Sequence, residues 1–206
     1  MEKQMPYVIY AESTPNPATM KFVANKLLVS NGAVYEFKNE EDAANAPLAQ
    51  RLFTFPFVRG VFVAQNFITL TKAEEVNWDD VMLEIREYIS NYLNAGHPVL
   101  NEEANLESRQ HEVRHEGAKQ HTADHAHANT PLEKRIVEVL DEYVRPAVEG
   151  DGGAIHFKSF DGGVLTVELR GACSGCPSST ITLKAGIQSL FERMVPEVKE
   201  VVAEEA

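Results

Sequence analysis

Ile155-His156-Phe157-Lys158-Ser159-Phe160-Asp161-Gly162-Gly163-Val164-Leu165-Thr166-Val167-Glu168-Leu169 reads as two strands folded back on one another. Asp161-Gly162-Gly163 is the hairpin turn, because glycine supplies the positive φ that tight hairpin connections need. Asp151-Gly152-Gly153 turns the chain into the first strand, and glycine's permissive dihedrals account for it without a role at a bound group. Upstream, Thr130-Pro131-Leu132-Glu133 is a capping box with proline at the first helical position: Thr130 caps and Glu133 reaches back. Leu132, Ile136, Val139, Leu140, Tyr143 and Val144 form the apolar face of that helix, which Pro146 kinks or ends. Downstream, Leu183, Ile187, Leu190, Phe191 and Met194 mark a second amphipathic helix closed by Pro196, and Val198–Ala203 reads as a last strand. The order is α-β-β-α-β in about 75 residues, enough to fold alone.

Between the returning strand and the second helix lies Gly171-Ala172-Cys173-Ser174-Gly175-Cys176-Pro177-Ser178-Ser179. Pro177 suits a first helical turn, so Cys176 is expected at or near a helix N-terminus, where unpaired N–H groups carry positive partial charge. That setting favours thiolate over thiol at both sulfurs. Gly171 and Gly175 let backbone come close to whatever the sulfurs bind. The spacing by itself reads equally as cluster binding, zinc binding or thiol redox chemistry. Two thiolates do not complete either metal site: a cubane cluster takes four cysteine ligands and a structural zinc also takes four. The chain has only 2 cysteines, and a two-fold dimer placing two such loops face to face would supply four.

Residues 1–98 form a separate patterned zone. Val61-Phe62-Val63 and Phe67-Ile68-Thr69-Leu70, joined at Gln65-Asn66, read as a hairpin. Trp78, Val81, Met82, Ile85, Tyr88, Ile89, Tyr92 and Leu93 share one helical face, capped by Asn77 and stopped at Gly96 and Pro98. Strands are expected around Tyr7–Ala11, Met20–Ala24 and Val34–Phe37, and a helix around Ala43–Phe53. Residues 99–129 change character: aromatics vanish and Glu, Gln, His, Asn and Ala dominate, the composition of a flexible linker. Residues 130–206 carry the second domain. The expected fold class is α+β, two small domains on a His- and Glu-rich tether.

The formal net charge of -12 argues against phosphate backbones and anionic membrane surfaces, and no basic stripe reverses it. No apolar run is long enough to span a bilayer, and Met1-Glu2-Lys3-Gln4-Met5-Pro6 opens neither a signal peptide nor a transit peptide. The expectation is a cytoplasmic protein, or a mature one whose presequence was removed.

Val144-Arg145-Pro146, Asp151-Gly152-Gly153 and Gly171-Ala172-Cys173-Ser174-Gly175-Cys176-Pro177-Ser178-Ser179-Thr180, with Pro196-Glu197-Val198, closely resemble the C-terminal domain of NifU-like (Nfu) proteins. Thr14-Pro15-Asn16-Pro17-Ala18-Thr19-Met20-Lys21-Phe22, followed by the Phe67-Ile68-Thr69 hairpin, resembles the N-terminal domain that many Nfu proteins carry. The resemblance covers everything except the linker. It implies a homodimeric, non-enzymatic [4Fe–4S] carrier that takes its cluster from an assembly scaffold and passes it to apo iron–sulfur proteins. The implied ligands are Cys173 and Cys176, dimerisation falls to the C-terminal domain, and the N-terminal domain selects clients or scaffolds. The rivals are a thiol–disulfide oxidoreductase using the same pair, against which no thioredoxin-like βαβ unit surrounds the motif, and a zinc-bridged interaction module.

Other residues have simpler readings. His111, His115, His121, His125 and His127 belong to a solvated tether, although His111 with His115 and His121 with His125 have helical metal-pair spacing. His156 is expected on an exposed strand face, and Trp78 in the core. Thr14-Pro15-Asn16-Pro17 reads equally as a partner-docking loop or a rigid turn.

Overall fold

The structure is a computed structural model, and it describes residues 5–30, 32–101, 121–122, 128, 130–174 and 177–205. Two compact units appear: Met1–Ser13 with Ala18–Thr122, and Thr14–Pro17 with Ala123–Ala206. Both are mixed helix and sheet, the α+β class read from the sequence.

In the first unit, strands β1 (Ile9–Ser13), β2 (Thr19–Ala24), β3 (Ala33–Phe37), β4 (Val58–Ala64), β5 (Phe67–Lys72) and β6 (His121–Thr122) form one sheet. Its order is β1-β2-β5-β4-β3-β6, antiparallel throughout. The expected hairpin is there: Ala64 faces Phe67 across Gln65-Asn66, and Gln65 takes the positive φ of 39° that this turn demands. Helix α1 (Pro47–Phe53) starts later than the periodicity suggested. The cause is Pro47, which disfavours helical dihedrals at the preceding residue, and Ala46 sits at φ -126°, ψ 79°. Helix α2 (Trp78–Asn94) is capped as expected, the Asn77 side chain accepting from the Asp79 N–H with Asp79 and Asp80 in the first turn. Trp78, Ile85, Ile89 and Leu93 pack with Leu48 and Leu52 of α1 onto Phe22, Val61, Val63, Ile68 and Leu70 of the sheet. Trp78 is core, in edge contact with Phe22 at 6.3 Å between ring centroids.

The tether expectation falls mostly outside the described residues, and His111, His115, His125 and His127 with it. His121–Thr122 is a difference: it lies in the stretch expected to be a linker, yet pairs antiparallel with Ala33 and Val34. A two-residue strand is too short to show as a hydrophobic period.

The second unit opens with helix α3 (Pro131–Val139), and both arms of the capping box form. The Glu133 N–H donates to Thr130 Oγ1 at 3.1 Å, and the Thr130 N–H donates to Glu133 Oε2 at 2.8 Å. Pro146 does not end this run. Leu140–Val144 winds as a wider π-turn, in which the Arg145 N–H reaches back to the Leu140 carbonyl, and α4 (Arg145–Gly150) carries the helix on. A proline removes one helical N–H, and a π-bulge is a known way of absorbing such a defect. The extra residue of the wide turn also takes Tyr143 off the apolar stripe: it is 48% exposed, whereas Ile136, Val139, Leu140 and Val144 are buried. Arg145 braces the same turn through Asp141, its Nε donating to Oδ1 at 2.9 Å.

Strands β7 (Gly153–Asp161), β8 (Val164–Gly171) and β9 (Glu200–Glu205) form a sheet of order β7-β8-β9, with β8 and β9 parallel. Asp161 faces Val164 across Gly162 and Gly163, at φ 56° and 92°, the doubly positive turn that suits a two-residue hairpin. Helix α5 (Pro177–Met194) crosses between β8 and β9. Ile187 and Phe191 are buried, and Leu183, Leu190 and Met194 pack on the same core.

Candidate functional site

The hairpin and α5 fix where the cysteine loop must be. β8 ends at Gly171, which turns the chain with φ 65°, and α5 begins at Pro177. The first half of the loop is pinned by backbone. The Ala172 N–H donates to the Gly152 carbonyl at 3.2 Å, and the Ser174 N–H and Oγ–H both donate to the Gly171 carbonyl, at 3.1 and 2.9 Å. Cys173 is therefore held at the open end of the β7–β8 hairpin, opposite the turn Asp151-Gly152. Cys176 and Gly175 lie outside the described residues.

Cys173 departs from the thiolate expectation. It is 6% exposed and belongs to the apolar cluster with Ile155, Leu169 and Phe191. Burial pushes its thiol up to about 12, and the negative charge of Asp151 adds to the shift. At neutral pH this sulfur is a protonated thiol inside the unit. It becomes a metal ligand or a nucleophile only by losing that proton and gaining access.

Sequence reasoning missed one neighbour of this sulfur and one buried ion pair on the strand that leads to it. Gly153, assigned to a turn, sits so close that a Cβ built there falls 2.8 Å from Cys173 Sγ. Arg170 is only 4% exposed and is held by Glu168, with Nε to Oε1 at 2.7 Å and Nη2 to Oε1 at 2.5 Å. Their i, i+2 spacing puts both on one face of β8, a signal present in the sequence but not distinctive. His156 is half-buried, facing Glu168 in the ladder, where the sequence reading had it on an exposed face. Thr14 Oγ1 donates to the Asn16 carbonyl at 2.9 Å, which closes the Thr14-Pro15-Asn16-Pro17 turn.

Among the described residues no group of three or more His, Cys, Asp or Glu is placed to hold a metal ion. No described helix is long and apolar enough to cross a membrane.

Two family models match the chain: "Scaffold protein Nfu/NifU N terminal" over residues 9–96 and "NifU-like domain" over residues 136–202. The NifU-like protein 5, mitochondrial, of Arabidopsis thaliana is 34% identical over 206 residues, covering 99% of this chain and 70% of that protein. The chain belongs to the NifU-like (Nfu) family. Both Nfu regions are present, and Cys173 and Cys176 fall inside the NifU-like match. The NFU1 iron-sulfur cluster scaffold homolog, mitochondrial, of Drosophila willistoni is 35% identical over 193 residues, 94% of this chain. This Nfu chain spans 62% of the length of that relative. A solution NMR structure of a NifU-like protein from Saccharomyces cerevisiae matches at 26% identity with a TM-score of 0.41, covering 48% of this chain and 89% of that one.

Proposed function

We propose that this Nfu chain is a non-enzymatic carrier of an iron–sulfur cluster. Cys173 and Cys176 of two copies together hold one [4Fe–4S] cluster as cargo, taken from an assembly scaffold and handed to apo iron–sulfur proteins. The observation that carries the reading is the donor inventory. The whole sequence has two cysteines, both in the loop between β8 and α5 of the NifU-like region, and a four-thiolate site needs twice that number. In this reading the second unit forms the homodimer and the first recognises clients or scaffolds. Neither nucleic acid nor a membrane is a partner, in keeping with the net charge of -12. The location is proposed as cytoplasmic, and imaging of a fluorescent fusion in the source cell tests it.

A cluster shared at a two-fold axis is more open to partners than one enclosed by a single fold, which suits cargo that must leave. The backbone N–H groups at the start of α5 are unpaired in the helix and are able to donate to sulfur, an interaction that tunes clusters. Anaerobic reconstitution with iron and sulfide, followed by iron and sulfide analysis and light-scattering mass on the same sample, tests the proposal. Four iron and four sulfide per dimer are expected. Bound zinc in place of iron moves the assignment to a zinc-bridged module. A metal-free protein that reduces insulin disulfides moves it to an oxidoreductase.

A further inference from the structure

Gly153 is a glycine whose reason lies in space rather than in dihedral angle. Its neighbour Gly152 has φ 83°, the left-handed conformation that favours glycine, but Gly153 is not among the residues of positive φ. A side chain is excluded at 153 by what surrounds it. An added Cβ falls 2.6 Å from the Arg170 carbonyl oxygen, 2.8 Å from Cys173 Sγ and 3.1 Å from Cys173 Cβ. The first two are closer than non-bonded atoms approach. The place a side chain would take is filled by the Cys173 sulfur and by the backbone of β8.

The ladder explains why this happens here. Gly153 pairs with Gly171 at the last rung of β7–β8, and the Ala172 N–H bonds back to Gly152. The loop after β8 therefore folds over the start of β7. Cys173 is laid onto residue 153, with the apolar cluster behind it. Cys173 in that position is only 6% exposed, so little of it is open to a second chain.

We infer that Gly153 is a positioning residue that stows the Cys173 sulfur in the cluster-free chain, so that Ala172–Ser174 lifts from the start of β7 before Cys173 acts as a ligand. The inference rests on the proposed function only for what the sulfur is used for; the stowed state is a property of the cluster-free chain and is testable without iron.

The test is alkylation of the full-length, reduced, cluster-free chain by iodoacetamide at fixed pH, followed at Cys173 by peptide mass spectrometry. The Cys173 rate in the folded chain is expected to be at least about tenfold below the rate in the same chain unfolded by urea, the protection a local opening equilibrium gives. Equal rates overturn the inference outright, with no variant needed. Gly153→Ala is expected to raise the folded-chain rate at Cys173 at least about fivefold while the far-ultraviolet circular dichroism is kept. Unchanged protection in that folded variant also overturns it. Where Gly153→Ala does not fold, the substitution is repeated in a Cys173→Ala chain, and the four proteins form a double-mutant cycle in Tm or in refolding yield. Removing the sulfur is expected to soften the effect of the added methyl, and an equal effect in both backgrounds overturns the role. Failure of iron to load while Cys173 is protected sinks the carrier reading and leaves the stowed thiol standing.

Discussion

Cys173 is subject to two opposed influences. A helix start nearby stabilises a thiolate, an effect confined to about one turn and of order 1 kcal/mol at an exposed site. Removal from water disfavours the thiolate by as much as about 3–5 pKa units for a fully buried group. Burial wins here, and the thiol stands near 12. The sign of the pH effect follows. A thiol pKa raised on folding stabilises the cluster-free chain below the unfolded value of 9.0, and that contribution is lost as pH rises from there toward about 12. Thermal unfolding of the cluster-free chain is therefore expected at lower temperature as pH climbs through this window, with a shallower fall for Cys173→Ala. Parallel curves for the two proteins would place the pH dependence elsewhere. For the cargo, Cys173→Ser and Cys176→Ser are each expected to abolish cluster binding and leave circular dichroism unchanged. A single variant that still reconstitutes the full visible absorption would remove that residue from the ligand set. The helix start at Pro177, just after the cysteine pair, was legible in the sequence, because a proline's preference for the first helical turn is local. The burial of Cys173 was not, since it comes from Gly153 and from apolar residues as distant in sequence as Ile136 and Phe191.

At the level of elements, what was readable depended on how local the cause is. Gly162-Gly163 imposes a two-residue hairpin through positive φ at both glycines, Gln65-Asn66 is bracketed by two apolar strands, and both turns were read in place. The Thr130–Glu133 capping box is equally local and forms at both hydrogen bonds. Thr130→Ala is expected to cost about 1 kcal/mol, seen as a lower urea midpoint for the second unit. A midpoint unchanged within error would mean that the helix start is held by packing alone. Pro146 shows the limit of this reasoning. A proline inside a helical pattern ordinarily ends the helix at the residue before it. Here the π-turn at Leu140–Val144 absorbs the missing N–H, and with it turns Tyr143 outward. That outcome depends on the second core, in which Leu140 and Val144 cluster with Ile155 and Phe191, and no window of sequence contains it.

Across the whole molecule, the described residues build two separate apolar cores, one around Phe22, Ile68 and Leu70 and the other around Ile136, Leu165 and Phe191. Both cysteines of the proposed site belong in sequence to the NifU-like region, whereas the first core lies in the Nfu N-terminal region. Damage to the first core should therefore separate stability from cargo. Phe22 is 1% exposed and packs edge-on against Trp78, so Phe22→Ala opens a cavity and is expected to cost about 3–5 kcal/mol. Under the proposed function this variant is expected to keep its full iron and sulfide per dimer after reconstitution, because both cysteines and the β7–β8 hairpin lie outside the first core. Its transfer of cluster to an apo iron–sulfur protein is expected to fall, since the first unit is proposed to recognise clients. Calorimetry shows whether the first unit has lost its cooperative unfolding, and iron analysis with a transfer assay on the same preparation supplies the other two quantities. Iron lost together with the first core would tie loading to that unit and end the division of labour. Unimpaired transfer with the first core disrupted would leave client recognition with the second unit.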